Sequence, residues 1–314
     1  MRAMVTGGAG FIGSHIVDLL IAERHDVSIV DNLSTGKRQN IHPDARFFET
    51  DIRAAEIAHI LRDERPEVVF HQAAQSAVKV STDDPKYDAD VNIVGMINLM
   101  EACAAAGVRK VIFASSGATY GNPQYLPIDE KHPQRPESPY GISKMVTEHY
   151  LHYYALDRGV TFTALRYGNV YGPRQDPHGE AGVVAIFSRI LLDGGVPTIH
   201  WDGKQTRDYV SVYDIAKANL AAATRGDGNC YGIGTGRGTS VNKLYGNLCD
   251  VFGRQIEPKR APRRPGDLRH AYFDCTRAHQ ELEWYPTVEL WDGLARTFES
   301  FAADTAAAPV ASAR

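Results

Sequence analysis

The segment TGGAGFIG (6–13) decides the fold of this chain, because it places Gly7, Gly10 and Gly13 three residues apart. It follows a β-branched and apolar run, AMVTG (3–7), and it opens an amphipathic run, FIGSHIVDLLIAE (11–23). Glycines between a strand and a helix let a phosphate approach the backbone, and the N–H groups of the helix start can face a pyrophosphate. The segment therefore predicts a strand, a tight turn and a helix that together bind a dinucleotide.

A carboxylate at the end of the next strand supports the same prediction. The run DVSIVD (26–31) predicts a strand that ends on Asp31, about 20 residues beyond the glycines. A carboxylate at that point binds a ribose 2′-OH and repels a 2′-phosphate, so NAD is favoured over NADP. Lys37 and Arg38 are a mild argument for a phosphate, but they fit solvated loop charges equally well.

The alternation of strand-like and helix-like runs continues through the first half of the chain. Helices are predicted at EIAHILRDE (56–64) and at IVGMINLMEACAAAG (93–107), which ends on Gly107, a residue suited to a helix C-cap. Further strands are predicted at ARFFETD (45–51), EVVFHQAA (67–74), KVIFASS (110–116) and FTALRYGN (162–169). Apolar strands separated by helices are typical of a parallel sheet covered on both faces. The predicted fold class is therefore α/β, a Rossmann-type doubly wound parallel sheet with a smaller C-terminal α/β substrate domain.

The composition changes after Gly172, where proline and glycine become frequent. A strand-to-helix pattern returns at VSVYDIAKANLAAA (210–223), so the two domains are expected to interleave. The predicted division is an NAD-binding domain over 1–170 with a further contribution from about 208–235, a substrate domain over 171–314, and a flexible tail over about 302–314.

Composition and charge favour a soluble protein without nucleic acid or membrane partners. The chain has 314 residues, 43% apolar and 23% charged, with a net charge of −4 that gives no electrostatic reason to expect either partner. No apolar run approaches the roughly 20 residues of a membrane span, and the first residues do not resemble a signal peptide. The four cysteines (Cys103, Cys230, Cys249 and Cys275) are widely spaced, which indicates reduced thiols and no zinc site. We therefore expect a cytoplasmic protein that holds no metal.

The segment SPYGISK (138–144) contains the candidate chemical group. Tyr140 and Lys144 are four residues apart, so on a helix they share one face. Taken alone, this spacing also fits an incidental pair on a surface helix. A strand that ends in Ser115 and Ser116 precedes the segment, and this order favours a joint site at the edge of the predicted sheet.

Five motifs in order resemble the extended short-chain dehydrogenase/reductase family, and within it the UDP-glucose 4-epimerase group. They are TGGAGFIG (6–13), DNLSTG (31–36), SSGATYG (115–121), YGISK (140–144) and RYGNVYG (166–172), and the resemblance covers essentially the whole chain. The resemblance implies that NAD is the cofactor and a UDP-sugar the substrate. It also implies a homodimer built from helices at about 90–105 and 140–158.

The resemblance further implies that Ser116, Tyr140 and Lys144 are catalytic. Tyr140 would act as the base, Ser116 would hydrogen-bond the substrate hydroxyl, and Lys144 would hold the nicotinamide ribose. A phenol with a pKa near 10 is a poor base at neutral pH, and a nearby ammonium is expected to lower that pKa. The cofactor contacts implied are Gly7, Gly10, Phe11, Ile12, Gly13, Asp31, Asn32, Ser34, Thr35, Gly36, Asp51, Ile52, Ala73, Ala74, Gln75, Asn92, Ser115, Tyr140, Lys144 and Tyr167.

The substrate contacts implied lie mostly in the second half of the chain. Arginines suit a pyrophosphate because the guanidinium binds it with two parallel hydrogen bonds. By resemblance Arg207 and Arg264 face the pyrophosphate and ribose, while His200 lies near the uracil. The full set implied is Ser76, Ser116, Tyr140, Asn169, Val183, His200, Arg207, Arg264, Asp267 and Ala271.

Departures from the related motifs narrow the predicted reaction. Gly117 and Ala118 stand where sugar-nucleotide 4,6-dehydratases need an Asp-Glu pair, which argues against dehydration. In GDLRHAYFD (266–274), Ala271 stands where some epimerases carry a bulky tyrosine, and Tyr272 is one residue late. A roomier pocket that also admits N-acetylated hexoses is therefore expected. Ser76 stands where some epimerases carry a lysine near the cofactor. This difference concerns how the protein adjusts the redox behaviour of NAD and does not affect the prediction that NAD binds.

The function predicted is inversion of carbon 4 of a UDP-hexose through a transient 4-keto intermediate, in galactose metabolism. A UDP-glucuronate 4-epimerase or another nucleotide-sugar oxidoreductase or dehydratase of the family is the alternative. A non-catalytic NAD-binding sensor is a further alternative, although such proteins usually lack the tyrosine or the lysine that this chain keeps.

Overall fold

A seven-stranded parallel sheet forms the centre of the fold. The computed structural model describes residues 1–178, 182–264 and 266–307, with the backbone alone from 305 onward. The strands in chain order are β1 Arg2–Thr6, β2 Asp26–Asp31, β3 Arg46–Glu49, β4 Val68–His71, β5 Lys110–Ser116, β6 Thr161–Tyr167, β7 Asn169–Tyr171, β8 Thr198–His200, β9 Thr206–Arg207, β10 Tyr209–Ser211, β11 Asn229–Ile233, β12 Thr239–Ser240, β13 Lys259–Ala261 and β14 His270–Ala271. The large sheet has the order β11-β6-β5-β4-β1-β2-β3, and every neighbouring pair is parallel. The strand order reverses between β1 and β4, which is where ligands bind in sheets of this type.

Helices cover both faces of this sheet. In chain order they are α1 Phe11–Ala22, α2 Glu56–Glu64, α3 Val78–Asp83, α4 Pro85–Ala89, α5 Gly95–Ala106, α6 Pro139–Asp157, α7 Val183–Leu192, α8 Val212–Ala222, α9 Val241–Phe252, α10 Thr276–Glu281 and α11 Leu290–Ala307. Successive residues of a strand face opposite sides. Accordingly Ala3 and Val5 of β1 join the core under α1 and α8, whereas Met4 joins the core under α2, α5 and α6. The α/β fold class predicted from the sequence is confirmed.

Most predicted elements of the first half are present. The helix at 56–64 and the strand at 110–116 have the predicted bounds, and Gly107 ends α5 with φ +72°. The strand predicted at 67–74 is shorter, because the chain leaves the sheet after His71. The helix predicted at 93–107 begins earlier, since α4, a π-helical turn Asp90–Val94 and α5 follow one another directly. Asp84 sets that start by accepting a hydrogen bond from the Tyr87 N–H.

One helical stretch, Pro85–Ala106, is long and apolar enough to cross a membrane by length and composition alone. In this fold its α5 part packs on α2 and on α6, and Leu99, Met100 and Cys103 belong to the core of the sheet. The stretch is therefore part of the layer of helices that covers one face of the sheet.

The second half of the chain forms a smaller body and also returns to the large sheet. Helices α7, α9 and α11 pack together around Phe187, Leu244 and Leu294. Helix α8 packs on α1, and β11 extends the sheet beside β6. The domain boundaries remain a prediction, although this return fits the interleaving expected for about 208–235.

The flexible tail expected over about 302–314 remains a prediction. Its first part is helical, because α11 continues to Ala307, and Phe301 of this helix is buried. Residues 308–314 of the expected tail lie outside the described residues.

A buried ion pair ties α6 to the sheet beside the candidate site. The Arg166 guanidinium donates Nε–H to Glu148 Oε1 at 2.9 Å and Nη2–H to Glu148 Oε2 at 2.6 Å. Glu148 also accepts from the hydroxyl of Ser115 at 2.6 Å and from Gln134 at 3.0 Å. Burial opposes the charge of Glu148, but the Arg166 contact outweighs it and holds the pKa of Glu148 below its usual value. The charges are thus paired and hydrogen-bonded, which a buried pair requires.

We predict that Arg166→Met lowers the free energy of unfolding by about 3–5 kcal/mol, because it leaves the Glu148 carboxylate buried without its partner. Chemical denaturation followed by circular dichroism measures this change. The matched control is Arg38→Met, which breaks the exposed pair of Arg38 with Glu49 and is expected to cost about 0–1 kcal/mol. Equal effects for the two variants would contradict the structural importance of the buried pair.

Candidate active site

A cavity of about 490 Å³ lies at the carboxyl edge of the sheet, where the strand order reverses. The turn after β1, the end of β2 and the loops after β3 and β4 form one part of its wall. The ends of β5 and β6 and the start of α6 form the other part. The volume is in the range of cofactor and ligand pockets. All the predicted sequence motifs of the first 144 residues thus meet at one edge of the fold.

The glycine turn allows the start of α1 to lie against this cavity. Gly7 has φ +69°, and a Cβ there would come within 2.6 Å of the Ala73 amide nitrogen. A Cβ on Gly13 would come within 2.1 Å of the Gly7 carbonyl oxygen, so only glycine permits this close packing. Gly10 caps the helix and has no side chain to occupy the first N–H groups. Those groups fit a pyrophosphate.

Asp31 lines the cavity at the end of β2. Its Oδ2 accepts from the Ala9 N–H at 3.0 Å and its Oδ1 accepts from the Leu33 N–H at 2.8 Å, which fixes the carboxylate. Burial raises the pKa of Asp31 above its usual value, although both backbone N–H groups oppose this. The held carboxylate fits a ribose hydroxyl. Arg38 is paired with Glu49, which weakens the mild argument for a 2′-phosphate.

A second acidic residue, Asp51, also lines the cavity. Asp51 follows β3, accepts from Asn32 Nδ2 at 2.7 Å and is bound by two nitrogens of Arg53 at 2.8 Å. These hydrogen bonds from Arg53 lower the pKa of Asp51 to about 2. Arg53 also pairs with Asp90 at 2.7 Å, so this rim is tied to the π-helical turn before α5.

Tyr140 and Lys144 lie one turn apart at the start of α6, as their spacing predicted. Ser138 caps this helix by accepting from the Gly141 N–H at 3.1 Å, and Pro139 occupies its first position. The Lys144 Nζ lies 5.8 Å from the centroid of the Tyr140 ring and 4.7 Å from that of the Phe113 ring. Both side chains line the cavity.

Ser116 ends β5 beside Tyr140. The Ser116 hydroxyl is close enough to the Tyr140 phenol for hydrogen bonding between them to lower the pKa of the phenol. Its Oγ accepts from the Ala118 N–H at 3.1 Å. The predicted catalytic residues Ser116, Tyr140 and Lys144 are therefore brought together by the ends of two adjacent elements. Their catalytic roles remain a prediction.

The expected lowering of the Tyr140 pKa is wrong for this arrangement of protein groups. Burial raises the pKa of Tyr140 to about 12, and the hydrogen bond from Ser116 offsets only part of that change. Burial also lowers the pKa of Lys144 to about 8, against the attraction of Asp88 and Glu148. Both groups lose solvation in their charged forms, and this loss is the largest cause of each change.

The structure places most of the predicted cofactor residues on the cavity wall, with two exceptions. Gly36 packs behind the Asp31 carboxylate, where a Cβ would come within 2.7 Å of Oδ1. Asn92 lies behind the loop after β4, where its Oδ1 accepts from the Gln75 N–H at 2.8 Å. The cavity lining includes Gly7, Gly10, Phe11, Ile12, Gly13, Asp31, Asn32, Ser34, Thr35, Asp51, Ile52, Ala73, Ala74, Gln75, Ser76, Ser115, Tyr140, Lys144 and Tyr167.

Sequence reasoning missed part of the wall. Val80 and Tyr87 come from the short helices α3 and α4, which have too few residues to show a clear helical period. The other missed lining residues are Val30, Thr50, Gln72, Ala77, Val91 and Ala114. Val30, Thr50 and Ala114 directly precede residues that were predicted, so the adjacent motif could have indicated them.

A smaller cavity of about 160 Å³ contains two of the predicted substrate residues, Asn169 and Val183. Tyr209 also lines it, and the Tyr209 hydroxyl is buried without a hydrogen-bond partner among the described residues. Nothing in the sequence patterns had singled out Tyr209.

The remaining predicted substrate residues lie on short strands and loops of the second half. Arg207 and Ala271 are register partners on β9 and β14. The guanidinium of Arg207 donates to the carbonyl oxygens of Thr206 and Leu268 at 2.8 and 2.9 Å, which fixes its direction. His200 ends β8, and Arg264 accepts at its carbonyl oxygen from the Asp267 N–H at 3.2 Å.

Two packing contacts concern the positions at which this sequence differs from related motifs, Gly117 and the pair Ala271 and Tyr272. A Cβ on Gly117 would come within 3.0 Å of the Phe273 ring, so the structure leaves little room for an acidic side chain there. The ring of Tyr272 packs on Gly238, where a Cβ would come within 2.8 Å of the ring. Tyr272 is thus directed against Gly238, and Ala271 takes the position beside Arg207.

Several known proteins are similar to this chain. A UDP-glucose 4-epimerase of Mycolicibacterium smegmatis is 46% identical over 308 residues, which cover 96% of this chain and 98% of that protein. The crystal structure of the UDP-glucose 4-epimerase of Thermotoga maritima with UDP-glucose has a TM-score of 0.95 at 47% identity, covering 97% of this chain and 100% of that chain. The UDP-N-acetylglucosamine 4-epimerase of Methanobrevibacter ruminantium M1 in complex with UDP-N-acetylmuramic acid has a TM-score of 0.93 at 36% identity, covering 96% and 98%.

The family assignment predicted from the five motifs is confirmed. The profile of the NAD dependent epimerase/dehydratase family matches residues 3–234, which is more than half of the chain. This protein therefore belongs to the NAD dependent epimerase/dehydratase family.

Proposed function

We propose that this protein is an NAD-dependent epimerase that inverts carbon 4 of a UDP-hexose. One observation carries the proposal: Tyr140 and Lys144 line the same cavity as the glycine turn, and Ser116 lies beside Tyr140 at the end of β5. The glycine turn suited to a pyrophosphate and the candidate proton-transfer group therefore line one cavity. The high identity to UDP-glucose 4-epimerases over nearly the whole chain supports the same substrate class.

Ser116, Tyr140 and Lys144 have separate roles in such a reaction. Bound NAD supplies the hydride acceptor and donor for both half-reactions, and its positive ring favours the phenolate form of Tyr140. Tyr140 takes the proton of the hydroxyl at carbon 4, and Ser116 holds that hydroxyl by a hydrogen bond. The 4-keto sugar turns within the site, after which Tyr140 returns the proton to the oxygen and the product has the opposite configuration. Lys144 supports the phenolate electrostatically and orients the ribose beside it.

The structure also supports epimerisation over dehydration. Dehydratases of the family need an acidic pair after the active-site serine or threonine, and this chain has Gly117 and Ala118 there. The contact of Gly117 with the Phe273 ring leaves little space for that pair.

We predict that Tyr140→Phe lowers kcat by about 10²–10⁴-fold, because the variant keeps the ring but loses the group that transfers the proton. The measurement is interconversion of UDP-galactose and UDP-glucose, with NAD content and circular dichroism recorded for each protein. Tyr150→Phe on the exposed part of the same helix is the control and should retain full rate. Near-normal turnover by Tyr140→Phe, with NAD bound, would show that Tyr140 is not the base.

We also propose that the sugar pocket admits N-acetylated hexoses. Ala271 provides a small side chain beside Arg207, and the bulky Tyr272 ring is directed against Gly238. The similarity to a UDP-N-acetylglucosamine 4-epimerase of 36% identity supports this substrate range.

Ala271→Tyr should reduce kcat/KM for UDP-N-acetylgalactosamine by about 100-fold relative to that for UDP-galactose, because the added ring fills the space for the acetamido group. Parallel assays on the two substrates measure the ratio, and Tyr272→Phe is the matched control with no expected change. Undetectable turnover of UDP-N-acetylgalactosamine by the unmodified protein would contradict the proposal that the pocket admits N-acetylated hexoses.

We propose that the protein is a homodimer that pairs α5 and α6 of each copy. Ile142, Tyr153 and Leu156 are large apolar side chains exposed on α6, and Val94 is exposed just before α5. Leu156 is 77% exposed. Several exposed apolar side chains on one helix are typical of a surface that binds another protein. A shared four-helix interface would cover these side chains.

Leu156→Glu is expected to convert the dimer to a monomer at micromolar concentration, because two carboxylates would enter an apolar interface. Analytical ultracentrifugation measures the mass of each form. The exposed polar residue His152 on the same helix gives the control variant His152→Gln, which should remain dimeric. A monomeric unmodified protein would contradict the proposed assembly.

We also propose that the protein is cytoplasmic and acts in galactose metabolism. All four cysteines are free, and three of them are buried, which is typical of proteins from a reducing compartment. Interconversion of UDP-galactose and UDP-glucose would connect galactose to the common pool of glucose derivatives.

A further inference from the structure

Asp88 is a buried acidic residue close to the catalytic pair that the proposed mechanism does not use. It belongs to α4 and is 1% exposed. Its Oδ1 accepts from Gln75 Nε2 at 2.8 Å and from Asn92 Nδ2 at 3.1 Å. These donors are neutral amides, and within 1–178, 182–264 and 266–307 Asp88 belongs to no ion pair. An acidic group held in this way has hydrogen bonds but no adjacent positive charge.

The hydrogen bonds of Asp88 connect the three elements around the catalytic pair. Asn92 also donates to the Gln75 carbonyl oxygen at 2.9 Å and to the Ser143 hydroxyl at 3.1 Å. Gln75 is on the loop that lines the cofactor cavity, and Ser143 directly precedes Lys144. The hydrogen bonds of Gln75 and Asn92 therefore fix the position of Asp88 relative to the start of α6, which carries Lys144.

Lys144 is likewise buried, at 3% exposure, and it forms no ion pair in the described part of the chain. Its own helix contributes Tyr140 and Glu148, and α4 contributes Asp88. From the sheet, β4 contributes His71, β5 contributes the apolar ring of Phe113, and β6 contributes Tyr167, which lines the same cavity.

Some of the groups around Lys144 are neutral, and others carry a charge. Burial lowers the pKa of His71 to about 3, so that imidazole is neutral. Burial raises the pKa of Tyr167 to about 12, so that phenol is neutral as well. Glu148 is negative, but two hydrogen bonds from the Arg166 guanidinium compensate it. Asp88 is the negative group near Lys144 that no cation in the described residues compensates.

We propose that Asp88 is a positioning residue whose carboxylate is the counter-charge that keeps Lys144 in its ammonium form. An isolated buried charge costs several kcal/mol, so an unpaired buried acid and an unpaired buried amine near each other each reduce the cost of the other. The consequence for catalysis rests on the proposed function, in which Lys144 must be positive to support the Tyr140 phenolate.

The sign of the effect follows from the charge of Asp88. Its negative charge raises the pKa of Lys144 and so opposes the effect of burial, which is larger and lowers that pKa to about 8. The same charge raises the pKa of Tyr140. Removing the charge should lower both pKa values, so the acid and the alkaline limb of the rate profile should both move to lower pH. A variant that only disturbs packing would lower the rate without moving the limbs.

The test is Asp88→Asn, which retains an oxygen that can accept from Gln75 and Asn92. We expect the pH profile of kcat for UDP-galactose to move toward acid by about one unit. The control is Asp83→Asn, an exposed acid of the preceding helix that is paired with Lys79, and its profile should not move. NAD content and thermal unfolding are recorded for both variants.

A second measurement does not depend on turnover. In protein labelled with ¹³C at the lysine ε-carbons, with the Lys144 signal assigned through Lys144→Met, the titration of Lys144 should move to lower pH in Asp88→Asn. An unchanged titration together with an unmoved rate profile would overturn the role of Asp88. If the unmodified protein interconverts no UDP-sugar, the proposed function fails, and the Lys144 titration still decides whether Asp88 is the counter-charge.

Discussion

The close packing of the glycine turn against the start of α1 is the constraint on which the rest of the structure depends. A side chain at Gly13 would meet the Gly7 carbonyl oxygen at 2.1 Å, and one at Gly7 would meet the backbone of Ala73 at 2.6 Å. Without that packing, α1 could not begin directly above the end of β1 with its N–H groups toward the cavity. Because the central strands are parallel, their carboxyl ends lie at the same edge of the sheet. The position of the turn therefore fixes where Asp31, the loop after β4 and the start of α6 must meet.

Burial determines the chemistry at this edge as much as proximity does. In water a tyrosine and a lysine have similar pKa values, near 10. In the site, burial raises the pKa of Tyr140 to about 12 and lowers that of Lys144 to about 8, so burial shifts both residues toward their uncharged forms relative to water. A phenolate beside an ammonium therefore needs support from the surrounding charges. Two buried acidic residues, Asp88 and Glu148, act on Lys144, and the bidentate contact with Arg166 compensates Glu148. Asp88 also connects the loop after β4 to α6, because it accepts from Gln75 and from Asn92, and Asn92 donates to Ser143.

The sequence predicted the parts of the fold whose residue pattern is local. The glycine turn, the strand that ends on Asp31 and the helix that begins before Tyr140 follow from spacing and residue type, and the structure contains all three. Strand β11 was missed because Asn229 and Gly232 interrupt its apolar pattern, and it exists because β6 offers it a partner. Gly36 and Asn92 were expected on the cavity wall, but one packs behind Asp31 and the other behind Gln75. Side-chain direction, burial and pKa depend on which distant elements pack together, and no local pattern contains that information.

The central claim is that the hydrogen at carbon 4 leaves the sugar, remains in the closed site and returns to the same carbon. The most direct measurement uses UDP-galactose that carries deuterium at carbon 4, in ordinary water, with the products identified by NMR and mass spectrometry. The account predicts UDP-glucose that retains the deuterium at carbon 4, because Tyr140 exchanges only the hydroxyl proton with solvent. Loss of the deuterium to water, or the absence of UDP-glucose, would contradict it.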